Sequence, residues 1–214
     1  MKISQKEKEL LDDWSFDRDE FVSDGIVDED KFLQASPSIC FVLKEINGKK
    51  DKSWDLRNFL REGGRPQTWD NVSRWTHGIS NLRDDIEWSK YQLISEKFRI
   101  KELSKIAAFN LKKSSGGHTT IANNLNNAVE QDRQYIKKQF ELYEADITIC
   151  CGTGGQLKWA LGLEDMEWST TRRGVQYLEY NSGKFIVSFS HPAARVRDSF
   201  LHYALIDAVR EIYL

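Results

Sequence analysis

The chain has 214 residues, of which 40% are hydrophobic and 30% charged, and its net charge is −2. That length suits one α/β domain with a real core and is short for two. The near-neutral charge argues against a protein that coats long duplex DNA, so any nucleic-acid contact has to come from a local basic patch.

Aromatic residues make up 12% of the chain, with seven Trp; core packing accounts for most of them, and base stacking is a use for some. Cysteines stand at 40, 150 and 151, each in or at the end of an apolar run. They read as buried small hydrophobes, and the odd count fits a reducing compartment, so a cytoplasmic location is expected. No CxxC pair exists, which leaves a thiolate metal site unsupported. The N-terminal stretch is charged throughout and is not expected to act as a signal peptide. No apolar run reaches the roughly 18 residues of a membrane span, so no membrane partner is expected.

In chain order, Leu10, Leu11 and Trp14 predict a helix over 2–14. Residues 15–36 are acidic and irregular, with a short helix near 31–34, so that 1–36 reads as a helical, acidic extension. Ile39 to Leu43 is a short β-branched apolar run, a buried strand. Polar residues 44–53 read as a loop. Trp54 to Arg61 is a predicted helix stopped by Gly63-Gly64-Arg65-Pro66. Thr68 is placed as the cap of a helix over 69–79. A polar helix is expected over 84–98. Residues 105–111 (KIAAFNL) form a second strand, followed by the loop KKSSGGHTT and an amphipathic helix over 121–143. Residues 145–151 (ADITICC) form a third strand that leads through Gly152-Thr153-Gly154-Gly155 into a helix ending near Leu161. Runs 175–180 and 184–189 make a hairpin around Asn181-Ser182-Gly183, and 198–213 is a closing helix.

Strands alternating with helices predict one three-layer α/β/α domain with a mainly parallel sheet of about four strands. Polar or glycine-rich segments follow all four strands. Ligands of open α/β sheets bind outside the carboxyl ends of the strands. Glu45, Asn47, Asn110, Gly152 and His191 are therefore expected on one rim. Each has a plainer reading beside the functional one. Glu45 reads equally as a solvated loop acid. Asn110 reads as a satisfied structural amide or as a ligand reader, and His191 as a strand exit that caps the last helix or as a donor in a site. The CGTGG segment lacks the third glycine of a dinucleotide fingerprint and the GK[ST] of a P-loop.

The four segments, in this order, resemble the uracil-DNA glycosylase superfamily. Lys44-Glu45-Ile46-Asn47-Gly48 is similar to the family's water-activating loop, although it lacks the leading Gly and the Pro. Asn110 in AAFNLKK stands where the family reads the pyrimidine edge. Ala145-Asp146-Ile147 through Gly152 resembles the third-strand entry and exit. Ser190-His191-Pro192-Ala193-Ala194-Arg195 resembles the His-Pro motif and is the most specific of the four. The resemblance implies a uracil-DNA glycosylase-like fold and cleavage of an N-glycosidic bond in DNA after base flipping, as in DNA repair, without a cofactor. It assigns Glu45, Asn47 and His191 to catalysis. It assigns Asn110, Ser190, Arg195, Arg197 and Lys112 to substrate contact, with Lys113 as a further phosphate contact and Val196 filling the vacated stack. Phe59, Trp54 and Trp69 are the candidates for stacking on the base. Two other readings stay open: a non-catalytic nucleic-acid or nucleotide-binding module, and a cofactor-binding transferase using residues 151–155.

Overall fold

A computed structural model describes residues 2–47, 54–116 and 122–214. In chain order the elements are α1 (Ile3–Ser15), β1 (Val22–Ser23), β2 (Gly25–Ile26), α2 (Glu29–Gln34), β3 (Ile39–Leu43), β4 (Ile46–Asn47), β5 (Trp54–Asp55), α3 (Leu56–Arg61), α4 (Pro66–Ser80), α5 (Glu96–Leu103), β6 (Ile106–Asn110), β7 (Ser115–Gly116), α6 (Ala122–Tyr143), β8 (Ile147–Cys151), α7 (Gly154–Leu161), β9 (Ser169–Thr170), β10 (Gln176–Asn181), β11 (Lys184–Phe189) and α8 (Asp198–Tyr213). A single 3-10 turn covers Trp88–Lys90.

The four expected strands are present and lie side by side in parallel, in the order β6-β3-β8-β11. The sheet is nonetheless seven-stranded and mixed, not a mainly parallel sheet of about four. β2 adds antiparallel to β6 at one edge, and β10 and β9 add antiparallel beyond β11 at the other. Two of these three extra strands, β2 and β9, are two residues long, too short to show a period-2 pattern.

Side chains alternate across the sheet, so each central strand feeds two cores. Ile39, Phe41 and Leu43 face α3, α4 and α8 through Leu60, Trp75 and Leu205. Cys40 and Val42 face α1, α6 and α7 through Trp14, Ile136 and Leu157. Helices thus cover both faces, and the three cysteines are buried and free. All five residues of β3, of β6 and of β8 are buried, which is why these segments read as unbroken apolar runs.

Several local expectations change. Residues 2–34 are part of the core, not an appendage: Leu11, Trp14, Phe21 and Phe32 are buried in it and β2 joins the sheet. The Glu7 carboxylate accepts from the Ile26 amide at 3.0 Å and pairs with Arg57. Gly25 there has φ 135°, and a Cβ would fall 1.9 Å from Glu7 Oε1, so only glycine fits. Trp54 and Asp55 form a strand with β1 instead of opening α3, because the Asp55 side chain caps that helix by accepting from the Arg57 amide at 2.8 Å.

Thr68 lies inside α4, which starts earlier, with Arg65 at the N-cap and Pro66 at the first turn. The helix expected over 84–98 begins only at Glu96, as α5. Carbonyls in that stretch are taken by distant side chains: Tyr91 by Arg74 at 3.0 Å, Ile86 by Tyr203 at 2.9 Å and Asp84 by Arg210 at 3.3 Å. Ser95 then caps α5 by accepting from the Phe98 amide at 3.1 Å. The loops after β3 and β6 contain a short parallel pairing, β4 with β7, while 48–53 and 117–121 lie outside the described residues. Among the described residues no helix is long and apolar enough to cross a membrane.

Candidate functional site

The chain runs from β3 to β6 on one side and then crosses to β8 on the other. The direction of winding reverses between β3 and β8, and a reversal of this kind opens a crevice at the carboxyl ends of the strands. Two residues meet there. Lys44 follows β3, and Gly152 follows β8 with φ 72°. A Cβ on Gly152 would lie 3.3 Å from Lys44 Cε, so the lysine stem lies against bare backbone. The Gly152 amide donates to Phe189 O at 2.8 Å, and Thr153 Oγ1 donates to Val42 O at 2.8 Å. These bonds tie the ends of β8, β11 and β3 together. Gly154 is close-packed, since a Cβ there would sit 2.6 Å from Ser188 Oγ.

Glu45 is not a solvated loop acid. Its carboxylate accepts from Lys112 Nζ at 2.5 Å, and the acid side chain is 7% exposed. Lys112 also donates to Ser115 O at 3.3 Å. The Glu45 carboxylate rests on Gly116, where a Cβ would come 2.0 Å from Glu45 Cδ. The backbone explains the contact: Ile46 pairs with Ser115 and Asn47 with Gly116, so the loops after β3 and β6 close on each other. The side chain of Asn47 lies outside the described residues.

His191 is half-buried in the turn after β11. Its Nδ1 accepts from the Ala193 amide at 3.1 Å, which places the proton of the neutral ring on Nε2. Burial, and then the nearby Lys44 ammonium, push its pKa below the ordinary histidine value. It does not cap α8, whose N-cap is Arg197. The turn is anchored from α4: Asn71 Nδ2 donates to Pro192 O at 2.8 Å and to Asp198 Oδ1 at 2.9 Å. Arg74 donates to Asn71 Oδ1 at 2.7 Å and to Asp198 Oδ2 at 3.1 Å. Ser190, Arg195, Val196 and Arg197 are exposed beside it.

The remaining expected residues are placed differently from one another. Asn110 is buried at the end of β6, where its amide N–H donates to Asp24 Oδ2 at 2.8 Å and its Nδ2 lies 3.4 Å from the same oxygen. Asp24 also takes Gln139 Nε2 at 3.0 Å and the Lys113 ammonium. Lys113 is therefore no phosphate contact: it is fully buried, with its ammonium 4.6 Å from the Trp14 ring. Trp69 is no stacking platform, because it is buried and packed against Gly64, where a Cβ would meet its ring at 2.5 Å. Phe59 and Trp54 are half-buried and meet edge to face at 5.7 Å.

Along this edge Lys44 lies against Gly152 and acts on His191, Glu45 pairs with Lys112 between the loops after β3 and β6, and Arg195 and Arg197 stand on the exposed turn after β11. Lys44, Asp24 and Asn71 were not singled out in the sequence. Asn71 had a legible signal: it stands at i−4 and i−8 from Trp75 and Ile79, a polar residue in an apolar helical stripe, which marks a satisfied buried amide. No group of three or more His, Cys, Asp or Glu able to hold a metal occurs among the described residues. Neither the protein-family models nor the curated proteins compared with the chain match it.

Proposed function

We propose that this rim hydrolyses the N-glycosidic bond of uracil or another modified base carried in DNA. The observation that carries the reading is the state of His191, a neutral imidazole with Nδ1 already occupied and its one N–H on Nε2, beside a lysine and an arginine-bearing turn. In the reaction, water attacks C1′ of the sugar and the C1′–N bond breaks with its electron pair passing to the base. The base anion is stabilised by the His191 Nε2–H, since a fixed donor acts where charge develops. Glu45 supplies negative charge for the cationic sugar and takes the proton of the water. Arg195 and Arg197 meet phosphates.

A second reading, a binding module without catalysis, is favoured by one specific observation. Glu45 and Asn110 are already engaged, by Lys112 and Asp24 respectively. Cleavage of uracil-containing single and double strands, followed on gels, separates the two. Hydrolysis by the wild type that falls about a hundredfold in His191→Ala, with a melting temperature within a few degrees, supports catalysis. Tight binding without cleavage supports the module. The absence of both overturns the proposal.

A further inference from the structure

A groove separate from the rim runs between α6 and α7. Its volume is about 310 Å³, and its walls are Asn126, Val129, Glu130, Gly155, Gln156 and Trp159. That volume is at the lower end of small-ligand sites and suits a single heteroaromatic ring with its substituents. Trp159 is half-buried, and the Arg133 guanidinium lies 4.4 Å from its ring centroid, while Arg133 itself is paired with Glu164 at 3.1 Å. Val129, 1% exposed, gives an apolar floor. At the wall, Gln156 Nε2 donates to Asn126 Oδ1 across 3.3 Å. That single long bond leaves Gln156 Oε1 as an acceptor and Asn126 Nδ2 as a donor on the two facing walls. A donor and an acceptor next to an indole match the edge and the face of a nucleobase. Glu130 is the one charged residue of the lining, and the Arg133 guanidinium over Trp159 is paired with Glu164, so the chemistry suits an uncharged ring better than a phosphate.

We infer that this groove is a second nucleobase subsite, which holds an unpaired base by the amide pair of Asn126 and Gln156 and the ring of Trp159. Its lining includes Gly155, in the first turn of α7 and three residues from the crevice residue Gly152. The base comes either from the same strand that reaches the rim or from a free nucleoside; the inference stands apart from the chemistry proposed for the rim.

Gly155 provides the test. Gly155 lines the groove and nothing lies within 4 Å of a Cβ built on it, so a larger side chain there is accommodated without a clash, adds helix propensity and is expected to narrow the groove. The probes are uridine, adenosine and an oligothymidylate, titrated against tryptophan fluorescence, with Trp159→Phe identifying the signal of Trp159. Saturable quenching of the wild type is expected, weakened at least tenfold in Gly155→Leu and in Asn126→Ala at unchanged melting temperature. Quenching by the oligonucleotide alone identifies the strand as the source, and quenching by nucleosides identifies the free ligand; either supports the inference. Unchanged binding in both variants, or no saturable response in the wild type, overturns it. Failure of the rim reading is separate, because it is read from cleavage and this is read from binding at Trp159.

Discussion

Asn71 offers the most direct test of how the His191 turn is held. Asn71→Ala removes three hydrogen bonds of 2.7, 2.8 and 2.9 Å at a residue 3% exposed. At about 1 kcal/mol net each, these contribute about 3 kcal/mol. The Arg74 guanidinium is not stranded, since it keeps the Tyr91 carbonyl at 3.0 Å and Asp198 at 3.1 Å. The Pro192 carbonyl is the group left without its donor, so the loss falls on the turn that carries His191. For a chain of this size, 3 kcal/mol lowers the melting temperature by about 6–12 °C. The assay has two readouts: thermal or urea unfolding for stability, and NMR titration of the His191 ring for position. With the turn released, the ring gains water and its pKa rises towards the ordinary value of about 6.5. A melting temperature within about 2 °C of wild type, on the same scale, would refute the energetic argument. An early melt with an unmoved His191 titration would refute the claim that this amide positions the turn.

Gly116→Ala places a Cβ 2.0 Å from Glu45 Cδ. The flexible acid must swing away from Lys112, so turnover on a uracil substrate is expected to fall as far as in Glu45→Gln, with the melting temperature within a few degrees; turnover at the wild-type level would show that the acid does no chemistry. His202 is 2% exposed, and its Nδ1 has no hydrogen-bond partner among the described residues. Burial first, then Arg74 and His77, lower its pKa from 6.5 to about 4. The folded state holds this ring neutral while the unfolded state protonates it, so its stability contribution is full above about pH 6.5 and is lost as pH falls towards 4. The loss is about 2 kcal/mol by pH 5. His202→Leu should therefore gain about 2 kcal/mol on the wild type between pH 7.5 and pH 5 in urea unfolding, and a difference that does not change with pH would contradict the assignment.

How much was legible in the sequence follows from the range of the interactions involved. β3, β6, β8, β11, α6 and α8 were readable to within a residue or two, because burial on both faces of a strand and one-sided burial of a long helix leave local patterns. The hairpin of β10 and β11 was readable from its Asn-Ser-Gly turn. That β3, β6, β8 and β11 end at one edge of the sheet followed from their parallel pairing alone. Elements set by distant partners were not readable. The edge strand β2 exists because Gly25 and Ile26 meet Ala108 and Ala107, 81 or more residues away in the chain. Residues 84–95 form no α-helix because side chains of α4 and α8 claim their carbonyls. The same division runs through the site. Residue type and position nominated Glu45, Asn110 and His191, but only the tertiary structure decided their partners: Glu45 paired with Lys112, Asn110 turned to Asp24, and His191 left with a single free N–H. A sequence fixes which groups reach an edge of the sheet, whereas the partner that each group meets there depends on loops brought together from separate crossovers, and that partner sets its charge and its hydrogen bonds.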